Sequence, residues 1–155
     1  MKTIETCVFT IKIKSNTAPE FIDITEQIVD LVRQSGIHNG LVVVFSKHTT
    51  AAITIQENEP LLLKDMADML ERLAPQSANY RHNDFSVRTV HMHEDECPNG
   101  HSHCQHLVLG SSENIPIIDS QLSLGEFQRI FMVELDAKKA KQLEHREILA
   151  QIMGV

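Results

Sequence analysis

Residues 4–14, IETCVFTIKIK, place Ile4, Thr6, Val8, Thr10 and Lys12 on one side of an extended chain and Cys7, Phe9, Ile11 and Ile13 on the other. A period of two marks a strand with one face on a core, and a strand this long needs protected edges. Partners are at hand. The stretch GLVVVFSKHTTAAITIQEN gives β-rich runs at 41–47 and 51–56 joined at His48, Thr49 and Thr50, and further strands are expected near IPIID and FQRIFMVEL, with Gly125 in the turn between them. Two helices are expected beside these strands. In FIDITEQIVDLVRQSG, Ile24, Ile28, Leu31 and Val32 recur at helical spacing, with Asp23 or Thr25 as cap and Gly36 as stop. In EPLLLKDMADMLERLAP, a helix runs from near Pro60 to before Pro75, with Leu62, Met66, Met69, Leu70 and Leu73 as its core stripe. Residues 76–100 hold no sustained period and read as a long loop, a length uncommon unless functional or disordered. The tail HREILAQIM fits helix or strand equally.

At 155 residues the chain suits one domain. A net charge of −7 without any long Lys/Arg run sets nucleic acid aside. A phosphorylated small molecule stays open, because a metal ion or a few backbone N–H groups can hold a phosphate that the whole-protein field repels. The N-terminus alternates instead of running apolar, so neither a signal peptide nor a membrane span is expected, and the cytoplasm is the expected compartment. Cys7, Cys97 and Cys104 form an odd set with no CxxC spacing, which argues against a disulfide framework and against a thiolate zinc site. Any metal site must therefore lean on histidine and carboxylate.

The stretch PNGHSHCQH, 98–106, holds three histidines and a cysteine. His101 and His103 share a face if the segment is extended; His103 and His106 share one if it is helical. Neutral imidazole is the commonest metal ligand and a catalytic site needs only three protein ligands, yet the spacing matches no closed zinc motif. A solvated His-rich loop is the plain alternative. In SKHTTAAITIQEN an apolar strand is bracketed by His48 and Thr49 at one end and Gln56, Glu57 and Asn58 at the other, and YRHNDF sets His82 beside Asp84, a carboxylate that orients an imidazole or serves as ligand itself. Loop capping by Thr, Asn and Asp explains both patches equally.

Taken together, GLVVVFSKHTTAAITIQENEP, YRHNDF, NGHSHCQHLVLGSS and LSLGEFQRIFMVELD resemble, in that order, the YjbQ-like family, also called secondary thiamine-phosphate synthases. The resemblance covers nearly the whole chain, from a helix at 21–35 to the closing QIMG. The family's blocks fall on His48, Thr49, Thr50 and Ala51; on Glu57 and Asn58; on Tyr80, His82, Asn83 and Asp84; on Asn99 and His103; and on Phe127, Gln128 and Glu134. The chain departs from the family pattern at Phe127, which replaces a tryptophan, at Glu126, and at Ser120, which replaces a hairpin glycine. His91 and His93 lie in a stretch longer than in shorter members.

The resemblance implies a single α+β domain, 1–155, of mixed, largely antiparallel sheets with two main helices, trimerising by sheet packing around a threefold axis, with the tail as a strand. It implies an enzyme joining hydroxymethylpyrimidine pyrophosphate to a thiazole phosphate with release of pyrophosphate. His48, Glu57 and Glu134 are the expected catalytic residues, and Thr49, Asn58, Ser111 and Gln128 the substrate-binding ones. A divalent ion (zinc, magnesium or manganese) is expected on His48, His82, Asp84 and His103, with His101 and His106 in reserve, and no organic cofactor. The alternatives are a metal-dependent hydrolase or lyase of another phosphorylated small molecule, and a non-enzymatic metabolite- or metal-binding trimer.

Overall fold

The period-two N-terminal run forms strand β1, Glu5–Ile13, in the computed structural model, which describes residues 3–155. After it come β2 (Glu20–Asp23), α1 (Thr25–Ser35), β3 (Gly40–Ser46), β4 (Ala51–Gln56) and α2 (Pro60–Leu73). The second half holds α3 (Gly100–Leu109), β5 (Ser112–Ile118), β6 (Gln121–Leu122), β7 (Arg129–Glu134), α4 (Ala137–Leu143) and β8 (Arg146–Gly154). A single 3₁₀ turn at Arg81–Asn83 interrupts the long loop between α2 and α3.

Two sheets result, one of five strands in the order β1-β8-β3-β5-β6 and one of three in the order β2-β7-β4. β8 pairs with β1 from Glu5 opposite Gly154 to Ile13 opposite Arg146, and on its other edge with β3. β3 and β4 are consecutive in sequence but belong to different sheets, so the His48–Thr50 connection crosses from one layer to the other.

β7 explains the layering. Its apolar residues carry no alternation, and every residue from Ile130 to Leu135 is buried, the pattern of a strand covered on both faces. Ile130 and Met132 join Ile53, Val42, Val44, Ile148 and Ile152 in the core between the sheets, with Ile28 and Val32 of α1. Phe131 and Val133 point the other way, onto Leu63 and Leu70 of α2 and Leu109 of α3. Among the described residues the five-stranded sheet has no such cover on its outer face. Val8 on β1, Phe45 on β3 and Ile118 on β5 are 59%, 41% and 53% exposed, and Leu41, Val43, Leu149 and Met153 share that face by the period of the strands.

Several expectations change. Among the described residues every strand pairing is antiparallel, so the sheets are not mixed, and there are four helices, not two main ones. The helix expected from residue 21 starts at Thr25, because 20–23 pair with β7 as β2. No side chain caps α1 at Ile24; Asp23 instead accepts from the N–H and hydroxyl of Thr25. The stripe on α2 is only partly buried, with Met69 and Leu73 exposed. The segment at 101–109 is helical, and the tail is a strand.

Candidate functional site

α3 is polar for a buried helix, and its two sides divide the work. Ser102 and Gln105 face inward, where Ser102 Oγ donates to Leu135 O at 2.6 Å and the Gln105 amide donates to the carbonyls of Leu70 and Ala74. His103 and His106, three residues apart, share the other, half-buried side. The 3₁₀ turn docks at the start of the helix because Gly100 has no side chain: a Cβ there would lie 2.5 Å from Tyr80 Cβ, and the Gly100 N–H donates to Asn83 Oδ1 at 2.9 Å. Docking brings His82 edge-on to His103, with ring centroids 4.7 Å apart.

The electrostatics of this face follow from burial. Desolvation lowers the pKa of His103 below the ordinary imidazole value, and the charge of a protonated His82, then His106 and Arg88, pushes the same way against Asp136. Desolvation also lowers His106 and His101. These imidazoles are therefore largely neutral at pH 7. His106 Nε2 lies 3.2 Å from Ser111 Oγ. The hydroxyl proton of Ser102 is spent on Leu135, so the 3.3 Å contact with His101 Nε2 is a donation from the ring, which leaves His101 Nδ1 as a bare acceptor. That atom and Asn99 Oδ1, two residues apart at the start of α3, are buried with no partner.

The remaining expected residues lie in two other places. His48 sits half-buried in the β3–β4 connection and accepts the Glu147 N–H on Nε2 at 2.8 Å, which fixes its tautomer and ties the connection to β8. Burial first, and Arg146 next, lower its pKa. Beneath it, Glu134 is wholly buried and receives both Nε and Nη2 of Arg146 at 2.7 Å, together with Ser15 Oγ and the Asp136 N–H. A carboxylate so occupied is a structural anchor, with no lone pair turned toward a substrate. Thr49 is exposed, whereas its neighbour Thr50 is buried and accepts from Arg146 Nη2. Glu57 and Asn58 stand at the far end of β4, about 25 Å from Thr50 at the usual strand rise. Asn58 donates to Asp23 Oδ2, as does Arg129, beside the exposed ring of Phe127. These hydrogen bonds hold Asp23 at about 2 although burial opposes them. Gln128 closes the local turn by accepting the Gly125 N–H.

The four residues expected to hold a metal do not assemble within one chain. His82 and His103 meet, but Asp84 accepts from the N–H and hydroxyl of Ser86, and His48 is committed to β8. Among the described residues no group of three or more His, Cys, Asp or Glu is arranged to hold an ion. Arg146 and Asp136 belong to no motif in the sequence; their one signal is an arginine opening a mostly apolar strand.

A family described as UPF0047 protein YjbQ-like matches residues 9–155. The chain belongs to that family. A UPF0047 protein of Methanothermobacter thermautotrophicus is 37% identical over 131 residues, 84% of each chain. A crystal structure of a protein from Sulfolobus solfataricus P2, described as YbjQ-like and of unknown function, superimposes with a TM-score of 0.86 at 29% identity, covering 99% of this chain and 100% of that one. An uncharacterised member from Clostridium acetobutylicum gives a TM-score of 0.75 at 29% identity, covering 94% and 98%. These descriptions overturn the expected activity. The family is defined without a function, and its solved members are described as unknown or uncharacterised, so membership assigns no thiamine-phosphate synthesis to the chain and none of the alternatives attached to it.

Proposed function

We propose that the chain is an enzyme that moves a proton on a small-molecule substrate, with His103 as proton acceptor, kept neutral by burial first and by the neighbouring His82 second. The observation that carries this reading is the edge-on imidazole pair at 4.7 Å on a half-buried helix face. A base must be unprotonated at the working pH and reachable, and burial beside a second imidazole supplies the first condition. Arg88 is paired with Glu96 at 3.0 Å and donates to the His91 carbonyl, so its charge is spent within the chain and the substrate class proposed is a small metabolite with a proton that a neutral imidazole can accept. A divalent ion joins this reading only with a ligand beyond His82 and His103, taken from a second copy or from the substrate.

The same reading has the enzyme work as a homotrimer assembled through the outer face of the five-stranded sheet, since none of the described residues covers that apolar face. Three free cysteines, with Cys104 exposed, support a reducing compartment such as the cytoplasm.

The test combines a titration with a depletion assay. In the purified protein, the His103 imidazole is expected to titrate below the ordinary value and to move up toward it in His82→Ala. Incubation with a panel of small metabolites, phosphorylated and not, should show at least one consumed by the native protein and spared by His103→Asn. Consumption that survives His103→Asn at the native rate would remove His103 from the chemistry.

A further inference from the structure

His101 and Gln105, four residues apart, share the side of α3 turned away from His103. Both line a cavity of about 420 Å³, whose wall is completed by Glu71 near the end of α2, Asp136 and Lys138 around the start of α4, and Pro19, Pro98 and Leu135. The volume suits a small ligand.

This wall holds acceptors that the fold leaves unspent. Gln105 is 2% exposed, and its Nε2 donates to the Leu70 and Ala74 carbonyls at 3.3 and 3.1 Å. Two carbonyl partners fix which end of the amide is nitrogen. Oε1, which accepts from none of the described residues, is therefore left to the cavity that Gln105 lines. Asp136 is 6% exposed, and the partners of its carboxylate are all uncharged: the Asn99 amide at 2.8 Å, the Lys139 N–H at 3.0 Å and the Cys97 thiol at 3.7 Å. A carboxylate that deep ordinarily faces a cation, as Glu134 faces Arg146 two residues earlier. The Glu71 carboxylate receives only the Gln76 N–H. Burial keeps the His101 imidazole below its ordinary pKa although Asp136 and Glu71 pull it upward, so the ring adds no positive charge. Lys138 is the one cation among the described residues that line the cavity.

We infer that this cavity binds a small organic cation rich in N–H donors, a guanidino or primary amino compound with a short carbon chain. Its N–H groups donate to Gln105 Oε1, and its positive charge sits between the Asp136 and Glu71 carboxylates. The carbon chain lies against Pro19, Pro98 and Leu135. Asp136 then gains the ionic partner that the chain itself does not supply, and Lys138 at the rim opposes entry of a second cation. The site is separate from the His82 and His103 pair, because α3 stands between them.

The test titrates the whole isotope-labelled chain with agmatine, with succinate and butanediol as anionic and neutral controls, and follows the side-chain amide signals by nuclear magnetic resonance. Agmatine is expected to shift the Gln105 amide, and the two controls to leave it in place. Glu71→Gln should weaken agmatine binding about threefold and Lys138→Met should strengthen it by a similar factor, since each removes one exposed charge from the rim. Both side chains are exposed, so unchanged thermal unfolding will certify the fold of each variant. Absence of agmatine binding, binding that leaves the Gln105 amide unmoved, affinities indifferent to both substitutions, or a preference for succinate would each overturn the assignment.

Discussion

Arg146 is 1% exposed and Glu134 0%, and two charges this deep are stable only as a pair. Removing one strands the other, at a cost of about 3–5 kcal/mol, whereas apolar replacement of both leaves no orphan and costs far less. Arg146→Met is therefore expected to lower urea stability by that amount, and Arg146→Met with Glu134→Leu to recover most of it. The buried histidines give a second prediction at this scale. His48, His101, His103 and His106 all sit below the ordinary value of 6.5, so the unfolded chain binds more protons than the folded one between those values. Their contribution to stability is complete above 6.5 and is lost as pH falls through the lowered values. Chemical denaturation between pH 7.5 and 5 should show that decline, and His48→Gln, which keeps an acceptor for the Glu147 N–H, should make it shallower. The sequence identified these histidines and Glu134 as unusual but not what they touch. A carboxylate ending an apolar run looks the same whether it meets a substrate or an arginine, and the arginine lies across a further helix.

At the scale of elements, the site rests on one docking contact, the 3₁₀ turn on the start of α3 through Gly100. Gly100→Ala would press a methyl into the Tyr80 ring, with an expected loss of about 1–3 kcal/mol from overpacking. Separation of the His82 and His103 rings should follow, read as an upward move in the His103 titration. Periodicity revealed β1, α2 and the β3 and β4 runs because each buries one face or stripe. It failed at 20–23, where four residues are too few to show a period and Ile22 and Ile24 suit either structure. It left α3 undecided because that helix buries Ser102 and Gln105, whose hydrogen bonds to Leu135, Leu70 and Ala74 depend on elements distant in sequence.

For the whole molecule, the uncovered sheet face yields the assembly prediction. Light scattering should give three times the 17.5 kDa chain mass. Val8→Asp with Phe45→Asp should give one, with the circular dichroism unchanged, because both side chains are exposed in the single chain. A native protein of single-chain mass would end the trimer reading. The α+β character and single-domain organisation were legible through the family resemblance, but the layer crossing between β3 and β4 was not. Two β-rich runs three residues apart read equally as a hairpin or as strands of two sheets, and only the packing of β7 between both cores separates them.

β8 lies between β1 and β3 in the larger sheet, yet it is made after all the other described strands. While this chain emerges from a ribosome, β1 has no partner until residues 146–154 arrive, and the sheet exists only as β3 with β5 and β6. The smaller sheet is available sooner, once β7 has been made. Closing the larger one across nearly the full length of the chain is a slow, long-range step. Its apolar strands stay exposed through most of synthesis, so a pause late in translation is the point at which a nascent copy is most open to chaperone capture or to pairing with its neighbour.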